Sequence, residues 1–275
     1  MGVANVIPGV SGGTIALILG IYQKFLHAIS HFFKDLKNNV KFLLPVVLGM
    51  VIAIITMSNV ISYSYEEFPV ATTMFFMGLV LGGMPFLFKK VKRKKEAKQV
   101  SSYLLMFATF SLVIFMACSD LIFDTTGMVD LSNLSLFGYI LLFLVGVIAA
   151  ATMVIPGISG SLMLMLLGYY YPVLNIIKNL TKFNNILENL ILAGIFGSGI
   201  LIGIVLISKL LEYLFQKYEI KTYCAVIGFI VASFFAIPLS TFLELGTVTF
   251  EVLEVIVGFV VLGIGSLISY KLGEK

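Results

Sequence analysis

Charge is what this chain has least of. Asp, Glu, Lys and Arg make up 12% of its residues and hydrophobic side chains 60%, with a mean hydropathy of +1.08. A soluble domain carries about 25% charge and about 45–50% apolar residues, so an ordinary water-soluble globule is excluded and a polytopic membrane protein is indicated. Cysteine is scarce too: Cys118 and Cys224 both sit in apolar segments with no short-range partner. That excludes a disulfide framework and a cysteine zinc site, and both read as core residues. The two histidines, His27 and His31, stand at i and i+4, a metal-type spacing, but lack a third ligand or a nearby Glu in that motif. They read as a wetted interfacial face, and neither a metal nor a cofactor is expected. The start of the chain shows no charged n-region followed by a cleavage site, so no removed signal peptide is expected.

What the chain does have is one stretch twice. Val6-Ile7-Pro8-Gly9-Val10-Ser11-Gly12 returns 148 residues later as Val154-Ile155-Pro156-Gly157-Ile158-Ser159-Gly160. Helix breakers inside strongly apolar sequence leave backbone groups that only protein or a water-filled cavity can satisfy. Paired breaks in corresponding halves point to a transport site.

Six stretches are apolar and long enough to span: Phe42 to Ser62, Val70 to Phe88, Tyr103 to Cys118, Leu187 to Ser208, Tyr223 to Leu239 and Val252 to Tyr270. The run from Lys89 to Lys95 belongs in the cytoplasm by the positive-inside rule. Counting spans from it places every basic residue inside except Lys178 and Lys182. Glu66, Glu67, Asp120, Asp124, Asp130, Glu188, Glu244 and Glu251 fall outside. Both ends of 134–174 then face outward, which predicts a hairpin with Pro156-Gly157 at its tip. The first cluster sits in a hairpin entered from the cytoplasmic side, with only Met1 to Ile7 as its inbound arm.

Weaker echoes extend the repeat: Leu19-Gly20 with Leu167-Gly168, Tyr22 with Tyr170, Gly49 with Gly197, and Gly78 with Gly228 two residues out of step. The expected fold is an all-α polytopic membrane protein forming one membrane domain over 1–275. It has two inverted-topology repeats, about 1–118 and about 134–271, each with a re-entrant helical hairpin plus transmembrane helices. The termini are expected in the cytoplasm of a multi-pass protein.

The chemistry follows from the breaks. Pro8-Gly9 and Pro156-Gly157 forbid a continuous helix, and Ser11 or Ser159 is a good N-cap for the helix that follows. N–H groups and the positive dipole end at Ser11-Gly12-Gly13-Thr14 and Ser159-Gly160-Ser161 favour an anion such as phosphate or carboxylate, with glycine admitting close approach. Lys24 and Lys209 are accessory candidates whose simpler role is snorkelling to the interface. Tyr169-Tyr170-Tyr171 reads as an aromatic belt, and Glu66 and Glu67 as solvated charges with a possible part in cation coupling. The basic run sets topology and attracts anionic headgroups; nucleic-acid binding is not expected. An enzyme acting on phosphate needs groups that stabilise a developing phosphoryl charge. The single arginine, Arg93, lies in the basic run, and no carboxylate or histidine neighbours either Ser-Gly tip, so a non-enzyme is expected.

The string Asn5-Val6-Ile7-Pro8-Gly9-Val10-Ser11-Gly12-Gly13-Thr14-Ile15-Ala16-Leu17-Ile18-Leu19-Gly20-Ile21-Tyr22 is specific. Together with Ile155 to Ser161 and Phe75-Phe76-Met77-Gly78-Leu79 with Pro85, it resembles the bacterial polyprenyl-phosphate transporter family, the undecaprenyl-phosphate translocases. The resemblance covers nearly the whole chain and draws Asn5 into the candidate site. It implies a bacterial plasma-membrane flippase that returns undecaprenyl phosphate from the outer to the cytoplasmic leaflet, recycling the carrier lipid of cell-wall (peptidoglycan) synthesis. Proton or other cation coupling is expected, with membrane lipids as partners and a homo-oligomer as a further possibility. The competing reading is a transporter or channel for a small soluble anion, because helix N-termini do not distinguish a lipid headgroup from free phosphate.

Overall fold

The computed structural model describes residues 1–2, 11–92, 94–122, 129, 131, 134–245 and 252–274. All regular structure among them is helical. In chain order the helices are α1 (Gly12–Ile18), α2 (Tyr22–Ser30), α3 (Leu36–Glu67), α4 (Pro69–Val91), α5 (Val100–Ile122) and α6 (Leu136–Val154). There follow α7 (Gly160–Leu166), α8 (Tyr170–Thr181), α9 (Ile186–Lys217), α10 (Glu219–Leu245) and α11 (Val252–Gly273), with a 3-10 turn at Lys95–Lys98 before α5.

Among the described residues seven helices are long and apolar enough to cross a membrane: α3, α4, α5, α6, α9, α10 and α11. Six coincide with the spans expected from hydropathy. The seventh, α6, is the stretch read as the inbound arm of the second hairpin. Its 19 residues extend about 28 Å at 1.5 Å per residue, close to the hydrocarbon thickness of a bilayer. Leu48, Ile55, Phe107, Phe137, Leu201 and Phe259 are among the many large apolar side chains left exposed. Such a surface suits lipid tails and would aggregate in water.

The second half echoes the first element by element. α1 and α7 begin and end 148 residues apart, and both close on a left-handed glycine, Gly20 (φ +70°) and Gly168 (φ +75°). Gly20 N–H donates to Leu17 O and Ile21 N–H to Ala16 O; Gly168 and Tyr169 repeat the pattern onto Met165 and Leu164. This is the two-bond C-terminal closure that glycine permits. It turns α1 into α2 through 118°. From the next connection onward the offset is 150 residues. α3 and α9 both run 32 residues and each ends on one aromatic hinge, Phe68 or Tyr218. After each hinge a threonine hydroxyl reaches back, Thr72 Oγ1 to Ser64 O at 2.8 Å and Thr222 Oγ1 to Leu214 O at 3.0 Å. Two extra residues before α9 explain why Gly78 and Gly228 looked out of step, and they set Gly49 opposite Gly199 instead of Gly197.

Packing crosses between the halves. α4 packs along α11, and α10 along α5. Small residues make both approaches possible: a Cβ on Gly78 or Gly82 would strike the Leu262 or Ser266 carbonyl of α11, and one on Gly228 the Met106 carbonyl of α5. In lipid, where apolar contact alone gives helices little reason to associate, such backbone approach supplies the van der Waals attraction. α4 and α10 are the most enclosed spans, while α3 buries almost none of its apolar window. Phe76, Val80, Leu87, Tyr223, Ile227 and Ile230 form the main core with Ala16, Leu17 and Tyr22. The end of α1 and the start of α2 are thereby anchored in the core, while Leu19 and Gly20 of the turn between them stay exposed.

Candidate functional site

Asn5, Pro8 and Gly9 lie outside the described residues. From Ser11 onward the first cluster is in place, and it meets the second directly. Ser11 caps α1, its Oγ accepting the Gly13 N–H at 3.2 Å while donating to Ile155 O at 3.3 Å. Thr14 Oγ1 accepts the Gly157 N–H at 3.0 Å, and Tyr22 OH donates to Val154 O at 3.0 Å. Three side chains of the first cluster thus satisfy the backbone that Pro156-Gly157 releases from α6. Ser11, Thr14 and Tyr22 are all buried, where unpaired carbonyl and N–H groups would each cost about 1–3 kcal/mol.

Gly157 is required twice over. Its φ of +85° is left-handed, and a Cβ there would lie 2.6 Å from Phe229 C and 2.8 Å from Ile230 N on α10. Gly13 is constrained by space alone, since a Cβ would sit 2.7 Å from Val154 O. Pro156, Gly157 and Gly160 are buried, as are Gly12 and Gly13.

The second cluster behaves differently at its serines. Ser159 occupies the N-cap position of α7 but makes no capping bond; its Oγ lies 2.9 Å from Ser161 Oγ. Ser161 is exposed and Ser159 half-buried. The Ser159 hydroxyl takes the neighbouring Ser161 hydroxyl in place of a backbone N–H. Hydroxyls, a helix start and an open side therefore coincide at Ser159-Gly160-Ser161, while those of Ser11 and Thr14 are committed to protein.

Neither accessory lysine is brought to the tips. Lys24 Nζ lies over the Phe42 ring of α3, 4.7 Å from its centroid, and Lys209 is exposed on α9. Two other lysines share a cavity with the end of α1. A cavity of about 510 Å³ opens beside Leu17, Gly20 and Tyr22 and extends to Lys89, Lys90 and Tyr223. Gln23 Nε2 approaches Tyr223 OH at 3.5 Å on its wall. The charge run that orients the chain thus also lines a cavity reached from Tyr22, which hydropathy and charge counting alone do not reveal. Cys118 and Cys224 are free thiols, Cys224 buried and Cys118 partly so, as expected of residues packed between helices.

Seven helices able to cross a membrane, with α1 and α2 hydrogen-bonded to the break after α6, give the architecture of a membrane transporter. Comparison with known proteins makes the assignment particular. A model of the undecaprenyl phosphate translocase-like family matches residues 1–250. A polyprenyl-phosphate transporter of Staphylococcus aureus is 34% identical over 275 residues, covering 100% of this chain and 93% of the relative. One of Vibrio cholerae is 30% identical over 248 residues, 85% of this chain and 73% of the relative. No solved structure matches the chain at a significant level. The chain belongs to the undecaprenyl phosphate translocase-like family. Its curated relatives are named as transporters, not enzymes.

Proposed function

We propose that this protein moves polyprenyl phosphate, undecaprenyl phosphate above all, from the outer to the cytoplasmic leaflet of a bacterial plasma membrane and so recycles the carrier lipid of cell-wall synthesis. The observation that carries this reading is the crossing of the two tips through Ser11, Thr14 and Tyr22 on one side and Val154 to Gly157 on the other. A polyprenyl tail can stay in lipid throughout, so only the headgroup must be shielded from roughly 30 Å of hydrocarbon. The phosphate is received at Ser159, Gly160 and Ser161, where hydroxyls are open. It passes the crossing as Ser11, Gly12, Gly13 and Thr14 exchange their protein partners for phosphate oxygens, and leaves through the cavity lined by Lys89 and Lys90.

In this reading the halves are inverted repeats, about 1–118 and 134–271, and each break is a re-entrant hairpin. The cross-packing of α4 on α11 and α10 on α5 supports an arrangement in which two units, each drawn from both halves, rock against one another around the site. Moving one or two negative charges toward an inside-negative cytoplasm is opposed by roughly 2.3 kcal/mol per charge per 100 mV. Transport is therefore coupled to a proton or another cation.

The test is reconstitution in vesicles with labelled polyprenyl phosphate and a leaflet-selective probe. Flipping is expected to fall when Ser159 and Ser161 are both replaced by Ala, and also in the pair Ser11→Ala with Ser159→Ala, with the protein still folded. Unchanged flipping in both would remove the tips from the mechanism. Flipping that persists after both pH gradient and potential are collapsed would remove the coupling. Uptake of inorganic phosphate into the vesicle lumen, with no lipid movement, would establish the small-anion reading in its place.

A further inference from the structure

His27 and His31 on α2 lack a third ligand in sequence, and the fold supplies one from 185 residues away. Glu212, buried on α9, points its carboxylate at both rings: Oε1 is 2.6 Å from His27 Nδ1 and Oε2 is 3.4 Å from His31 Nδ1. The rings stack with centroids 4.6 Å apart, and one donor atom from each of the three residues lies within 4.8 Å of the others. We propose that His27, His31 and Glu212 form a binding site for a divalent transition cation of the zinc type.

Three features of the cluster carry this assignment. The Nδ1 atoms of two rings stacked on one helix face converge on a single carboxylate, which places three donors where one cation can take them all. His31 Nδ1 is enclosed and has no hydrogen-bond partner among the described residues, a state that coordination would resolve. Two imidazoles and one carboxylate are also a donor set that zinc takes, at about 2.0–2.2 Å from each atom, which puts ligand atoms roughly 3.3 Å apart. The His31 to Glu212 separation already matches. The His27 to Glu212 pair must open by about 0.7 Å to reach that spacing, and the His27 side chain, 60% exposed, is free to make that move. The same exposure leaves a fourth position for water or an anionic oxygen. A cavity of about 350 Å³ lies there, lined by Gln23, Gln216 and a second carboxylate, Glu219.

The fold itself does not demand imidazoles at these positions. Displaced by the 148 residues that relate α1 and α2 to α7 and α8, His27 and His31 correspond to Asn175 and Asn179. Only one half carries the ligands, and a bound cation would fasten α2, the continuation of the first tip, to a long helix of the other half.

The experiment uses the full chain, purified with a tag that contains no histidine, and titrates Zn2+ against metal content and thermal stability. Co2+ provides the spectroscopic probe of coordination. One saturable ion per chain is expected, with a tetrahedral Co2+ spectrum. Substitutions behind the ligands of metal sites cost about 10–100-fold in affinity, so Glu212→Gln or the pair His27→Asn with His31→Asn should lose about 100-fold or more. Asn is the residue already carried at 175 and 179, which keeps the double variant foldable, and elution as the same monodisperse species verifies it. No saturable binding, or equal affinity in the folded double variant, would overturn the site and leave the cluster as a hydrogen-bonded pair of His27 and Glu212.

Discussion

The two tips share a sequence and not a state. At the first, Ser11 and Thr14 are buried and their hydroxyls are used on Gly13, Ile155 and Gly157. At the second, among the described residues Ser159 and Ser161 bond only each other, on a side that is partly open. The first tip supports and the second presents. The difference arises because Pro156-Gly157 releases backbone groups deep in an apolar core, and the nearest hydroxyls able to take them belong to the other copy.

The comparison can be broken most severely at Gly157. Replacing it with Ala imposes a left-handed conformation on an L side chain and drives Cβ into the α10 backbone, a destabilisation of about 2–5 kcal/mol. Gly20→Ala meets the same sign of φ but finds no atom within 4 Å, so about 1–2 kcal/mol is expected. Thermal unfolding in detergent should rank them in that order, and equal effects would show that the contact with Phe229 and Ile230 is not binding the tip. Next comes Thr14→Val, which strands the Gly157 N–H and should cost about 1–3 kcal/mol, whereas Thr14→Ser restores the acceptor. If Val and Ser unfold alike, the hydroxyl is not what joins the tips. Ser11→Ala removes a cap and should cost about 0.5–2 kcal/mol, read in the same unfolding assay.

The smallest effect on stability is expected where the effect on transport is large. Ser159→Ala with Ser161→Ala removes hydroxyls that bond only each other, so stability should stay within about 0.5 kcal/mol. Flipping should fall by about 10–100-fold, the worth of one or two hydrogen bonds to a charged group. A double variant that unfolds early and still transports would reverse the roles assigned to the two tips.

Much of this was legible in the residues. Hydropathy located six spans, short of the helices by up to nine residues at an end, and Pro-Gly and Leu-Gly pairs marked where helices stop, because chain breaks follow from dihedral restrictions carried by single residues. The N-cap role of Ser11 was equally local. That of Ser159 failed at the side chain, since the hydroxyl had a closer partner in Ser161. Lys24 and Lys209 were drawn to the site by charge alone, and the fold sets one over Phe42 and exposes the other. The run of Lys89 and Lys90 reads as setting topology and attracting anionic headgroups, and only the fold places these two at a cavity beside the turn after α1.

Membrane residence, helical class and the existence of two matched breaks were determined by the sequence alone, since apolar content and backbone geometry act over a few residues at a time. Tertiary structure decided which hydroxyl meets which freed amide, which tip stays open, and that Glu212 stands between His27 and His31. Those partners are separated by 132 to 185 residues, and they meet because α1 packs against α6 and α2 against α9 across the two halves.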